Sequence, residues 1–524
     1  MLGGAGPFPR RIVADARDKQ QTAYGQQELS AQLRYLESSH CSHYDASFSH
    51  EAVKYGSLRT ALLVFAGIMA GVVAARMLAG PFRFGPVSVT APLNPEGLLG
   101  LSLALLLLTR TGPLPADAGW TRRRAALLAM SVAAFSILAV RGALGLYFLS
   151  DDFILAKIGN SFNSEALRYT IRHGGGDGFF RPLGYLSLSL DAALGGYNPR
   201  MWHAVALSLH AINAALVVFV ARRLGASIFA AGFAGALFAA HGVHPEAVAW
   251  IAGRFDLLAT FFLLAGLLFL FSAKTFPALS CFALAALSKE SAYVFPLLVA
   301  AYAVWKRQPL RRTIPYFALA AILFAYRWVL FGGIGGYVDR ATGRPLALSL
   351  GFGSTLKAVG VRVWASLFFP LNWSRNPPLP LALLAIVYLA ALLWLGLRTR
   401  GSAACRLALA ALLISLLPVL SLLAGSPTLS GSRVLYLPSV WFAILIAVAI
   451  DGIPPRARYT IAAITLAFQF AALQHNLRFW EAASQRVEAA CATGAPAVPD
   501  WIDGVPALAN GRQECVEISR PAPP

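Results

Sequence analysis

Solid apolar runs, rather than alternation, set the pattern of this chain. Thirteen are long or nearly long enough to cross a bilayer: 60–79, 93–109, 125–148, 202–221, 227–244, 257–272, 277–287, 291–305, 313–331, 379–397, 405–424, 435–451 and 459–474. A spanning helix needs about 20 apolar residues, somewhat fewer where the bilayer thins around it. The polar residues lie between the runs. Arg110 with Arg122, Arg123 and Arg124, then Arg222 and Arg223, Lys274, Lys306 to Arg312, Arg398 to Arg406, and Arg456 with Arg458 all fall in alternate loops. Cytoplasmic loops carry such an excess of basic residues, so these loops are placed inside. The N-terminus is then cytoplasmic and the C-terminus lies on the opposite face.

Two stretches are decided by that parity. A span at 356–370 would put the 398–406 cluster outside, so this stretch is read as a helix on the outer surface. The runs 277–287 and 291–305 are read as a hairpin whose 11-residue arm reaches only about 17 Å. Its tip, Ser288-Lys289-Glu290, then sits below the outer surface, where irregular backbone needs a protein-lined cavity. Three long segments reach the outer face: 149–201, 332–378 and 475–524. The domains that follow are a polar arm at 1–56, an extra pair of spans with its loop at 57–124, a membrane domain at 125–474 and a short tail at 475–524.

Composition agrees with this reading and narrows the partners. The 524 residues are 57% hydrophobic and 13% charged, and the mean hydropathy is +0.61. The formal charge of +20 is spent in loops, with no basic face interleaved with aromatics that would follow a nucleic-acid backbone. Five cysteines show no metal-ligand spacing, and no cleavable leader is legible. An outward tail permits a disulfide between Cys491 and Cys515.

The candidate chemistry gathers where apolar runs end on the outer side. Asp151 and Asp152 directly follow the 125–148 run. One carboxylate can serve as a general base while the other orients it or holds a divalent metal, and the same pair also suits the start of a helix near Phe153. Arg181, within Phe179-Phe180-Arg181-Pro182, can pair with a lipid phosphate or simply reach for headgroups. His241, His244 and Glu246, then Arg254 and Asp256, crowd the next outer turn. They lack the i,i+4 histidine pair of a zinc helix, so ordering of a cavity is the stronger reading, with Arg254 as a second phosphate partner. Lys289 and Glu290 are costly inside a membrane and should pair with each other or with a ligand. Arg433 and Tyr436 open a further run and suit either an anionic group or an interfacial anchor. His203 and His210, seven apart on one helix, read as interhelical hydrogen-bonders. His173 to Gly178 is a flexible turn or a lid.

Six of these motifs recur in order in one family. They are Asp151-Asp152; Phe180 to Leu188; Trp202-His203 with His210; His241 to Leu258; Leu287 to Ala292; and Arg433 to Ser439. Over roughly 148–480 the chain resembles the membrane half of the TMTC O-mannosyltransferases and their bacterial relatives, within the GT-C superfamily. The resemblance implies an all-α GT-C fold that takes a sugar from a polyprenyl-phosphate carrier on the non-cytoplasmic face. It implies an acceptor hydroxyl as substrate, Asp151-Asp152 as the source of the catalytic carboxylate, and a bacterial inner membrane as the location. Gly242 replaces the family's usual proline, Ser432 stands where an acidic residue is common, and no 34-residue repeat follows Trp480. The rival expectation is a transporter or lipid flippase using the intramembrane charges as a path. It fits less well, since the polar motifs gather at one face and no half of the chain repeats the other.

Overall fold

The computed structural model describes residues 120–175, 178–338, 362–372, 393–398, 401–424, 428–493 and 498–507, with isolated positions between 64 and 89 and between 387 and 391. The chain divides into Met1–Ala61, wholly outside the described residues, and Leu62–Pro524. The expected span 60–79 apart from positions 64 and 68, the span 93–109, most of 379–397, the first part of the surface helix 356–370, the loop residues 176 and 177, and Cys515 also fall outside them.

The protein is an all-α membrane protein. Its helices are α1 (Arg122–Val140), α2 (Asp151–Ser161), α3 (Ser164–His173), α4 (Pro182–Gly195), α5 (Pro199–Arg223), α6 (Ile228–Ala239), the single turn α7 (Pro245–Val248), α8 (Arg254–Phe271), α9 (Thr275–Ala286), α10 (Phe295–Trp305), α11 (Ile314–Phe331), α12 (Val363–Phe368), α13 (Ala403–Leu416), α14 (Tyr436–Asp451) and α15 (Pro455–Thr493). Two small antiparallel hairpins complete the set, β1 (Phe82–Phe84) with β2 (Val87–Val89) and β3 (Trp501–Ile502) with β4 (Val505–Pro506).

Five segments among the described residues are long and apolar enough to cross a membrane: Arg122–Gly145, Pro199–Arg223, Ile251–Phe271, Leu310–Phe331 and Ser432–Asp451. Each matches one of the expected runs. Helices apolar on every side belong either in lipid or in a core, and burial separates the two cases. The span ending at Asp451 is 89% buried and forms the centre, whereas the span ending at Phe331 is 11% buried and turns its side chains outward. Between them, α5 packs on α1, α6 and α8, while α6 packs on α14. Gly235 of α6 permits this: a Cβ there would press on Val218 of α5 and Val132 of α1. Small residues let membrane helices approach closely where lipid offers no hydrophobic drive.

Three expectations change in detail. The run 227–244 is helical only to Ala239, because the segment from His241 to Gly253 folds as turns around its own polar groups. The outer segment 149–201 is mostly helical, with α2, α3 and α4 in series. The boundary at 474 does not end an element, since α15 continues to Thr493. The short arm at 277–287 is confirmed as α9, 12 residues long, which ends before an extended Lys289.

Candidate active site

After α1 the chain passes a 3-10 turn, Arg141–Gly145, and then an extended stretch whose backbone is tied down residue by residue. Tyr147 N–H donates to Ser484 Oγ at 2.7 Å, and Trp250 Nε1 donates to the Leu149 carbonyl at 3.1 Å. Ser150 has φ +50°, a value that L residues other than glycine rarely adopt, and its N–H donates to the Ala507 carbonyl at 2.8 Å. Helix α2 then starts with the aspartate pair in its first turn, where the helix dipole favours negative charge.

The two carboxylates have different surroundings. Asp152 is fully buried; its Oδ2 accepts from Leu149 N–H at 3.0 Å and its Oδ1 from Ala252 N–H at 3.2 Å. Burial pushes its carboxyl well above the usual carboxylate range, repulsion from Asp151 adds to this, and the backbone donors oppose it. Asp151 is exposed. Asp152 therefore joins the first outer loop to the turn at Trp250–Ala252, while Asp151 faces outward from the same helix start.

That turn also carries a cation. The Arg433 guanidinium lies 4.3 Å from the Trp250 ring centroid, and its Nη2 donates to the Tyr337 hydroxyl at 3.2 Å. Glu246 holds the other side: Arg433 N–H donates to Glu246 Oε2 at 3.2 Å, Ser432 Oγ lies 3.1 Å from the same oxygen, and Arg433 Nη1 is 3.5 Å from Oε1. Burial raises the Glu246 carboxyl, with Arg433 acting against it. Gly253 makes the turn possible, because a Cβ there would collide with the Ala247 carbonyl.

The remaining charges form one paired group. Arg181 forks onto Glu290, with Nη2 to Oε2 at 2.8 Å and Nε to Oε2 at 3.1 Å, and its guanidinium stands 4.0 Å from the Phe179 centroid. Arg327 of α11 donates from Nη1 to Glu290 Oε1 at 2.8 Å. Lys289 pairs with Asp256 and lies within electrostatic reach of Arg181 and Arg433. Two loops are stitched together beside this group: Gly336 N–H donates to the Gly178 carbonyl at 2.9 Å, and the Tyr337 and Phe179 rings meet edge to face at 4.9 Å. Here Arg181, Lys289, Arg433, Glu246, Asp256 and Glu290 come together as the motifs suggested, with one difference. Lys289 and Glu290 pair not with each other but with Asp256 and with two arginines.

Other candidates lie apart. Arg254 is fully buried, with Nη2 2.7 Å from Asp191 Oδ2 and 2.8 Å from the Trp202 carbonyl, and Nη1 donates to Ser187 Oγ at 3.2 Å. Its fork is occupied by α4 and α5, so it is an internal brace rather than a phosphate partner. Tyr436 is also fully buried; its hydroxyl lies 2.8 Å from His210 Nδ1 and 3.3 Å from Asn213 Nδ2. It ties α14 to α5 instead of meeting a ligand. His244 Nε2 lies 2.8 Å from Ser439 Oγ, and His241 Nδ1 accepts from Val243 N–H at 3.2 Å, both deep in the bundle. His210 bridges helices as its spacing suggests. Among the described residues, no three of His, Cys, Asp and Glu converge to hold a metal ion. Cys491 is disulfide-bonded, and its expected partner Cys515 lies outside the described residues.

Arg327, Asp191 and Tyr337 escape the sequence reading. Arg327 and Asp191 each interrupt an apolar helix, and a charge inside such a helix is a signal in its own right. Tyr337 lies in a glycine-rich loop and carries no such mark.

Fold and site define an α-helical membrane protein whose charged residues gather around interhelical turns beside a carboxylate pair. Known proteins resemble it over part of its length. Protein O-mannosyl-transferase Tmtc2 of Drosophila melanogaster is 46% identical over 100 residues, 19% of this chain and 11% of that protein. Protein O-mannosyl-transferase TMTC2 of Homo sapiens is 40% identical over 98 residues, 19% of this chain and 12% of that protein. Protein O-mannosyl-transferase Tmtc1 of Drosophila melanogaster is 46% identical over 83 residues, 16% and 10% respectively. The chain thus spans about a tenth of the length of these relatives. No protein-family model matches it. The resemblance to TMTC-type enzymes holds over that stretch.

Proposed function

We propose that this protein is a GT-C glycosyltransferase that moves a monosaccharide from a polyprenyl-phosphate carrier to an acceptor hydroxyl. The observation that carries the reading is the shared turn at Trp250–Ala252, which binds Asp152 through a backbone N–H and carries Arg433 on the Trp250 ring. A carboxyl group and a guanidinium are thereby fixed to one short segment. The named relatives are O-mannosyltransferases, which favours sugar transfer over the translocation reading.

In this mechanism Asp151 is the base and Asp152 positions it. Both Asp152 oxygens already accept backbone hydrogen bonds inside the fold, whereas the Asp151 carboxylate is exposed where an acceptor can reach it. Asp151 takes the proton of the acceptor hydroxyl as its oxygen attacks the anomeric carbon. The bond from that carbon to the phosphate oxygen breaks, and the lipid phosphate leaves with the electron pair; one displacement inverts the anomeric centre. Arg181, Arg327, Lys289 and Arg433 are the fixed cations available to the growing phosphate charge, and preorganised charge in a poorly watered site lowers the barrier. Glu290, Asp256 and Glu246 keep these cations aligned while the site is empty.

The reaction is assigned to the periplasmic face of a bacterial inner membrane. The Cys491 disulfide supports an oxidising compartment for that end of the chain, and the basic loops support a cytoplasmic N-terminus. Purified protein in lipid nanodiscs, incubated with radiolabelled polyprenyl-phosphate mannose and candidate acceptors, tests the proposal. Label should pass to an acceptor with the wild type and not with Asp151→Asn; transfer at the wild-type rate by Asp151→Asn together with Asp152→Asn would overturn it.

A further inference from the structure

The hairpin Trp501–Pro506 lies far in sequence from the aspartate pair, yet the residue after it meets Ser150, which directly precedes the pair, through the backbone. Ile502 pairs with Val505 and Trp501 with Pro506, around a turn in which Asp503 has φ +51° and Gly504 φ +85°. Two central residues with positive φ make the turn type whose twist matches paired strands, and Asp-Gly is a preferred sequence for it. Ile502, Val505 and Ala507 are buried, so the hairpin is seated rather than projecting. Ala507 closes it by donating its N–H to the Asp500 carbonyl at 2.8 Å. The Ala507 carbonyl then accepts from Ser150 N–H, also at 2.8 Å.

Two asparagines anchor this hairpin to the bundle. Asn372 Nδ2 donates to the Asp503 carbonyl at 2.9 Å, and Asn372 N–H donates to Asn476 Oδ1 at 3.0 Å. Asn476, on α15, donates to the Gly242 and Pro370 carbonyls at 2.7 and 2.6 Å. Gly242 precedes the turn that carries Glu246, so one chain of hydrogen bonds runs from that turn to the hairpin. Gly504 and Val505 also line a narrow crevice with Glu246, Ser432 and Trp480.

We infer that the hairpin Asp500–Ala507 is a positioning element of the proposed active site, holding Ser150 in its positive-φ conformation so that α2 begins with Asp151 correctly aimed. The inference rests on the glycosyltransferase reading for its chemical consequence, but not for its geometry. Ser150 occupies a conformation that needs its surroundings to hold it, and the Ala507 carbonyl is the partner of its N–H. Release of the hairpin lets the residue relax and turns the carboxylates away.

Gly504→Asn displaces the hairpin without removing it. Asparagine tolerates the positive φ, but its Cβ collides with Thr428. Thr428→Gly makes room, so the double variant should restore the wild type, and Thr428→Gly alone serves as control. In Gly504→Asn, hydrogen–deuterium exchange of peptides covering 147–153 should rise by about tenfold or more while the spanning helices stay protected. kcat for label transfer should fall by about tenfold or more with the donor KM unchanged, since small misplacement of a reacting group is costly to rate. Both changes should revert in the double variant. Unchanged exchange at 147–153 overturns the inference whatever the reaction proves to be, and raised exchange with unchanged kcat overturns it as well. Absence of sugar transfer by the wild type counts against the glycosyltransferase reading alone, with the exchange measurement still deciding the strap.

Discussion

At the scale of single residues, the proposed mechanism divides the aspartate pair into a reacting group and a structural one, and the two should respond differently to change. Asp151→Asn should lower transfer by roughly 10²–10⁴-fold, the usual worth of a general base, with no loss of thermal stability. Asp152 has a pH signature. Its buried carboxyl titrates well above the ordinary range, so the folded state keeps a proton that the unfolded chain has already released. Stability should therefore decline as pH rises from the ordinary carboxylate range through the raised value, and level off beyond it. Melting temperatures of detergent-purified protein across that interval would show the decline; an equal slope in Asp152→Asn would refute its assignment. Arg254 and Asp191 form a buried pair whose loss from one side leaves an uncompensated charge. Arg254→Ala should destabilise by about 3–5 kcal/mol, and Arg254→Met with Asp191→Leu by clearly less. Equal losses from the single and double variants would contradict the pairing.

At the scale of elements, the turn-rich segment between α6 and α8 does what a longer helix cannot. Carried on as helix past Ala239, the chain would point His241, His244 and Glu246 along one rod. Broken there, it sends His244 to Ser439, Glu246 to Ser432 and Arg433, and the Ala252 N–H to Asp152. Gly253 is the sensitive point, since its Cα faces the Ala247 carbonyl with no space for a methyl. Gly253→Ala should cost about 1–3 kcal/mol, as overpacking does. It should also reduce transfer more than an equally destabilising change in α11, such as one at the exposed Val329; equal reductions would mean that the turn only supports the fold. The break was invisible along the sequence because 227–244 reads as one apolar run. Of the polar residues past that break, Glu246 joins the charged group through Arg433, while His241 and His244 stay inside the bundle.

At the scale of the whole molecule, the proposed topology puts the basic loops on one face of the membrane and the charged group with its covering loops on the other. Trp501 is 52% exposed on the hairpin and Arg311 is exposed in the basic loop before α11. In intact inner-membrane preparations, Trp501→Cys should label with an impermeant thiol reagent from the periplasm and Arg311→Cys only after permeabilisation; the reverse pattern would invert the topology. The spans were legible because apolar length is a local property, and the motif residues because charge at a helix end is conspicuous. Arg327 and Asp191 were legible in principle as charges in apolar helices. Their partners were not, because Glu290 and Arg254 lie far from them in sequence. The hairpin carried a local signal of its own, Asp503-Gly504 between apolar residues, though nothing nearby says what it holds.

By itself the sequence determined that the chain spans a membrane, where the described spans lie, and which turns between them carry charge. Each of those follows from composition and spacing within a short window. Tertiary structure alone decided that Asp152 is spent on backbone N–H groups, that Arg254 and Tyr436 brace the bundle's interior, and that Glu290 holds two arginines. Hydrogen bonds and ion pairs act over about 3 Å in space, and sequence separation does not encode that distance until the helices have packed.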